Sequence, residues 1–226
     1  MRRYACTEEE FLEVVSRHEM TILRDDGESR HVRFKRPGEG AYWFDVITWP
    51  GTLCIDGDCG TYVFRRLPDM FEFFRADREY CERMGCKLAI NPGYWSEKLQ
   101  ATSRHGHDEF DTERFREIVK ERFDDWVEEK NPSAEAKDEL WEDIESKVLW
   151  ASHDDETRAR DAAHSYRNEA HGFDLYDFWE HNLRSFTFHF IWCCYAIAWG
   201  VKTYDERLIL AHSINTETDL ESGRTA

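Results

Sequence analysis

The residues best suited to chemistry in this chain are its carboxylates and its cysteines. Glu113, Glu117, Glu121, Asp124 and Glu128 follow one another at steps of four, four, three and four. On an α-helix those steps keep side chains on one face, so the five carboxylates form a single stripe. Glu135, Asp138, Glu142 and Glu145 repeat the pattern a few residues later, with Glu139 beside them. Like charges at this spacing weaken a helix by about 0.2–0.5 kcal/mol per pair. Two stripes that offend a local rule without a local gain point to a surface kept for recognition. The plain alternative is a solvated face, partly neutralised by Arg116, Lys120 and Arg122. One stripe supplies a charge every ~6 Å of helix, against about 1.7 Å along duplex DNA. Both helices must therefore contribute before such a surface could imitate a nucleic acid.

The cysteines and histidines offer less. Cys54-x4-Cys59 and Cys81-x4-Cys86 look like metal knuckles, but structural zinc sites more often use a two-residue spacing. Cys54 also falls in alternating text, where a thiol serves as a small apolar side chain. His105-Gly-His107-Asp108 could offer ligands, and a polar linker gives the same text. His189, between Phe188 and Phe190, reads as a hydrogen-bonded core residue rather than a base. Asp56-Gly-Asp58 has the flavour of a calcium loop, but Cys59-Gly60-Thr61 does not continue one and a hairpin turn explains it. Walker, dinucleotide-glycine, G-x-S-x-G and H-E-x-x-H motifs are all missing. No catalytic residue, metal or cofactor is assigned.

The charge balance narrows the partners. There are 47 Asp+Glu against 30 Lys+Arg, a net charge of −17. Residues 111–180 hold 22 acidic and 10 basic residues, so most of the excess lies there. That sign disfavours direct nucleic-acid binding, which needs cations to displace phosphate counterions, and it disfavours anionic membranes. Basic partners are favoured instead. Aromatics at 15% exclude general disorder. The start, MRRYACTEEEF, lacks the apolar segment of a secretory signal. The longest apolar run, 186–201, is too short for an easy membrane span and reads as a buried helix. Seven cysteines without a secreted framework suit a reducing cytosol, so a cytoplasmic protein is expected.

The elements follow from periodicity. Thr7 and Glu10 form a capping box that opens a helix over 8–19. Alternation over 31–35, 42–49, 52–55 and 61–66, with turns between, predicts a four-stranded antiparallel meander. Pro68 opens a helix with Met70, Phe71 and Phe74 inward. Residues 77–90 fit helix or strand, 91–93 read as a loop, and 94–100 as one or two helical turns. Residues 102–109 read as a linker. Phe115, Ile118, Val119, Phe123 and Trp126 then line one helix, and Leu140, Trp141, Ile144 and Val148 the next. Further helices are expected over 155–170, 174–184 and 186–201, with Gly200 as a C-cap. The expected class is α+β: a small N-terminal sheet domain with flanking helices over 1–101, an acidic helical domain over 110–215, and a frayed tail over 216–226. The two domains could also be one continuous body.

Two stretches carry a resemblance: Ile47-Thr-Trp-Pro-Gly-Thr-Leu-Cys-Ile-Asp-Gly-Asp-Cys-Gly-Thr-Tyr-Val-Phe64 and Phe188-His-Phe-Ile-Trp-Cys-Cys-Tyr-Ala-Ile-Ala-Trp-Gly200. Together they resemble a family of hypothetical proteins of tailed phages and prophages, over most of the chain. The resemblance brings no catalytic residues with it. It implies an anti-defence inhibitor of the anti-CRISPR type in the bacterial host cell. Such a protein would bind stoichiometrically to a basic, nucleic-acid-binding defence complex, such as a CRISPR effector, without touching nucleic acid itself. The alternatives are a phage enzyme acting on nucleic acid or a nucleotide with a Cys- or His-bound metal, and a virion assembly protein.

Overall fold

The computed structural model describes residues 5–75, 78–150 and 155–222, with side chains as far as residue 210 except that of residue 78. The chain divides into two compact units, 1–107 together with 186–226, and 108–185.

The first unit opens with α1 (Glu8–Val15) on the expected capping box: the Glu10 amide donates to Thr7 Oγ1, and the Thr7 amide donates to the Glu10 carboxylate at 2.8 Å. The helix ends at Val15 rather than 19, and the chain enters β1 (Glu19–Asp26). Strands β2 (Ser29–Lys35), β3 (Phe44–Trp49), β4 (Thr52–Gly57), β5 (Tyr62–Arg65) and β6 (Leu99–Thr102) complete an antiparallel sheet ordered β1 to β6. The expected four strands are its centre, and a further strand stands at each edge. Between β5 and β6 come α2 (Met70–Phe74), α3 (Arg78–Met84) and α4 (Pro92–Ser96). α4 replaces the loop expected over 91–93. The Tyr94 amide donates to Asn91 Oδ1, and Pro92 occupies the first turn, where an N–H has no intrahelical acceptor.

Alternation places Val32, Val46, Ile55 and Tyr62 in one cross-strand row, with Phe34 and Phe44 in the next. All six are buried, against α1, α2 and the first half of the C-terminal helix (Phe188–Ser222). Gly200 lies inside that helix and is not its cap. A Cβ there would stand 3.1 Å from Phe34 Cε2, so the glycine lets helix and sheet approach closely. On the opposite face, Asp45 is only 4% exposed and accepts both arms of Arg33 and the His31 ring at 2.8 Å each.

The second unit contains β7 (Asp108–Phe110), α5 (Thr112–Lys130), α6 (Ala134–Ile144), α7 (Glu156–Ser165), the short strands β8 (Arg167–Asn168) and β9 (Phe173–Asp174), and the first two residues of β10 (Arg184–Phe186). β10 pairs with β7, and β8 with β9. Asp111, Ser133 and Asp155 cap the three helices through backbone amides. α5 ends at Asn131, in the left-handed region at φ 43°, as its short polar side chain allows. A π-helical turn, Glu145–Leu149, continues α6; its wider spacing buries both Val148 and Leu149.

Further expectations are corrected in the second half of the chain. α7 stops at Ser165 rather than 170, because Tyr166 turns extended and its hydroxyl donates to Asp143 at 2.7 Å. A 3-10 turn, Tyr176–Glu180, and β9 and β10 stand in place of a helix over 174–184. The helical domain expected over 110–215 is not one body, since the C-terminal helix completes the core of the first unit. The backbone of 216–222, expected to fray, is helical, and 223–226 lie outside the described residues. Among the described residues no helix is long and apolar enough to cross a membrane.

Candidate functional site

α5 and α6 are positioned by their apolar edges. Phe115, Ile118, Val119, Phe123 and Trp126 on α5, and Leu140 and Ile144 on α6, are buried in the core of the second unit. At 100° per residue, each stripe of carboxylates lies opposite its helix's buried edge. All ten expected residues, Glu113, Glu117, Glu121, Asp124, Glu128, Glu135, Asp138, Glu139, Glu142 and Glu145, are exposed. Glu145 begins the π turn, but its amide still donates to the Trp141 carbonyl four residues back, so it keeps the α-helical register of the other four.

The two helices meet through Phe123 and Trp141, edge to face at 5.0 Å. The Lys120 ammonium lies 5.1 Å from the Phe123 ring centre and 5.5 Å from that of Trp141, and it pairs with Asp124. Arg114 reaches Glu117 at 3.3 Å and Glu121 at 3.7 Å. Of the basic neighbours expected to neutralise the stripe, Lys120 does so, joined by Arg114; no ion pair of Arg116 or Arg122 with it occurs among the described residues. His171 Nε2 lies 3.6 Å from Glu139. Glu135 sits at the start of α6, where its own amide and the Ser133 hydroxyl hold its carboxyl below the usual range. For Glu113, Glu128, Glu135, Asp138, Glu142 and Glu145 no ion pair occurs among the described residues.

Not every acid of these helices belongs to this surface. Asp143 turns inward and takes bonds from the Tyr166 hydroxyl, the Asn168 amide at 3.1 Å and Lys147 at 2.7 Å. Lys147, Tyr166 and Asn168 together hold its carboxyl low, against burial. Sequence reasoning also missed Tyr176 and Trp179, which are 57% and 52% exposed on the 3-10 turn. Their rings flank His164 at 5.6 Å each, with Arg167 over Tyr176 and Arg160 over Trp179. A helix expected over 174–184 hid them; of the three aromatics on the turn only Phe178 is buried.

Among the described residues no three His, Cys, Asp or Glu side chains converge as ligands. Cys6, Cys59 and Cys193 are core residues, the Cys193 thiol donating to the Cys59 carbonyl at 3.8 Å. Burial pushes Cys6 up to about 11 and Cys59 up to about 12, so these thiols stay protonated. His189 stacks on His105, ring centres 5.0 Å apart and 9° from parallel. Comparison with protein families, curated proteins and solved structures finds no match for this chain.

Proposed function

We propose that unit 108–185 is a docking module that binds a basic surface on a nucleic-acid-binding protein. The observation that supports this reading most is that all ten striped carboxylates face outward while six of them have no ion pair among the described residues. Desolvating a bare carboxylate against Lys or Arg on a partner exchanges water for a charge-assisted bond without first breaking an internal one. Long-range attraction between opposite charges also raises the rate of encounter. With the resemblance to phage proteins, the proposal extends to an inhibitor of a bacterial defence complex such as a CRISPR effector, whose RNA- or DNA-holding cations the carboxylates would occupy.

The test is capture of basic proteins from a nuclease-treated bacterial lysate by the immobilised protein, with added RNA or DNA as competitor. The expected result is retention that nucleic acid displaces and that Glu117→Lys, Glu121→Lys, Glu139→Lys and Glu142→Lys together abolish. Retention by the reversed variant, or indifference to the competitor, overturns the proposal.

A further inference from the structure

The end of α3 brings two thiols together by a backbone rule. Gly85 follows the helix in the left-handed region at φ 68°, and the Cys86 amide donates to the Cys81 carbonyl at 3.1 Å. That six-residue closure is a Schellman motif, in which the side chains three positions before the cap residue, here Met84, and two positions past it meet. Those positions are usually apolar; here they are Cys81 and Cys86. Both are partly exposed, whereas Cys6, Cys59, Cys193 and Cys194 are buried. The next two amides, of Lys87 and Leu88, both donate to the Glu8 carboxylate of α1, which fixes the segment beyond the cap. Cys81 lines a cavity of about 480 Å³ with Arg75, Lys87, Lys202, Asp205 and Ile209. That volume lies within the ~300–1,000 Å³ of small-molecule sites. Arg75 there is paired with Asp205, and Lys202 with Glu206.

We propose that Cys81 and Cys86 form a reversible dithiol–disulfide pair, oxidised by a low-molecular-weight disulfide such as oxidised glutathione that enters by the cavity beside Cys81. The Cys81 thiolate attacks one sulfur of glutathione disulfide and expels a glutathione thiolate. The Cys86 thiol then loses its proton, attacks the Cys81 sulfur of the mixed disulfide and expels the second glutathione. Two protein thiols are oxidised by two electrons, one glutathione disulfide is reduced to two thiols, and the two protons pass to the glutathiones. Cys81 is the entry thiol because it lines the cavity and Cys86 does not; burial, the Cys81 thiol and Glu8 push Cys86 up.

The folded protein treated with oxidised glutathione and then alkylated is digested with trypsin, which cuts after Arg78, Arg83 and Lys87. The expected product is peptide 79–83 joined to peptide 84–87 by a disulfide. Cys86→Ser is expected to stall with glutathione on Cys81. Gly85→Ala, whose Cβ would meet nothing within 4 Å, acts only through its left-handed backbone and is expected to slow closure about fivefold. Separate, stable glutathione adducts on both cysteines of the unaltered protein overturn the proposal. So does alkylation of both thiols after treatment, or closure of Gly85→Ala at the unaltered rate.

Discussion

Gly200 places the backbone of the C-terminal helix against the ring of Phe34, with 3.1 Å and 3.3 Å left between the site of a Cβ and two ring carbons, and 3.5 Å to Val46. The contact is the centre of the first unit, since Phe34 also stacks on Phe44 at 4.8 Å and meets Trp199 edge-on at 5.2 Å. A larger side chain must push the helix off the sheet. Gly200→Leu is expected to destabilise by about 1–3 kcal/mol, as overpacked cores do. The urea midpoint measures it, and a midpoint equal to the unaltered protein's would refute the close approach.

Asp45 sets an acid limit on the same unit. Burial raises its carboxyl, but hydrogen bonds and charges from Arg33 and His31 outweigh that and leave it below the usual range. A folded value below the unfolded one, about 3.9 for Asp, means stability fully present above pH ~4 and lost as pH falls through the folded value. Asp69, bonded to Arg30 at 2.9 and 3.1 Å, is lowered in the same way. Asp45→Asn is expected to cost about 1–3 kcal/mol at neutral pH, because Arg33 and His31 keep access to water once unpaired. It should also flatten the fall of the urea midpoint below pH ~4. Parallel curves for the two proteins would show that Asp45 titrates no differently on folding.

Neighbouring acids on α6 should separate sharply by role. Asp143 holds Tyr166 and Asn168, so Asp143→Ala leaves a buried hydroxyl without its acceptor, and a loss of about 1–3 kcal/mol is expected. Glu142 faces water, and Glu142→Ala is expected to stay within about 0.5 kcal/mol. Thermal unfolding of the two variants decides the matter; equal losses would mean that the inward and outward assignments are wrong.

Binding through the acidic surface should weaken with salt. The Debye length shrinks from about 10 Å at 0.1 M to about 3 Å at 1 M ionic strength, and rim charges act mainly on the association rate. The rate of association with a captured partner is therefore expected to fall steeply with salt, and the rate of dissociation much less. A salt-independent association rate would place the interface elsewhere, with exposed Tyr176 and Trp179 as the next residues to substitute.

The central strands and both striped helices were legible because their apolar spacing is regular: Val32 and Phe34, or Ile118 and Phe123, fall where the period puts them. The edges were not. β1 buries none of its residues fully, and its register shifts between Ile22 and Arg24, so its alternation fades into charged text. β6 turns inward only at Leu99. Tyr166 falls inside the helix expected over 155–170, and only its bond to Asp143 explains why the helix stops before it. The outward carboxylates could be named from spacing alone. The inward turn of Asp143 depends on Tyr166 and Asn168, more than twenty positions away. The thiol pair was legible as a spacing, Cys-x4-Cys, but its meaning came from Gly85, whose left-handed backbone closes a helix rather than a metal knuckle.

The C-terminal helix covers a sheet made long before it. Between β6 and that helix the chain runs through the whole of 108–185. At ~5–20 residues per second a ribosome needs roughly 5–20 seconds to pass from Thr102 to Tyr204. During that interval Phe34, Phe44 and Val46 have no lid, while 108–185, with its core contained in its own segment, can close first. The unit that is second in sequence thus matures ahead of the one that precedes it. The nascent sheet is a period of exposed apolar surface in which a chaperone, or another copy of the same unfinished chain, would find its purchase.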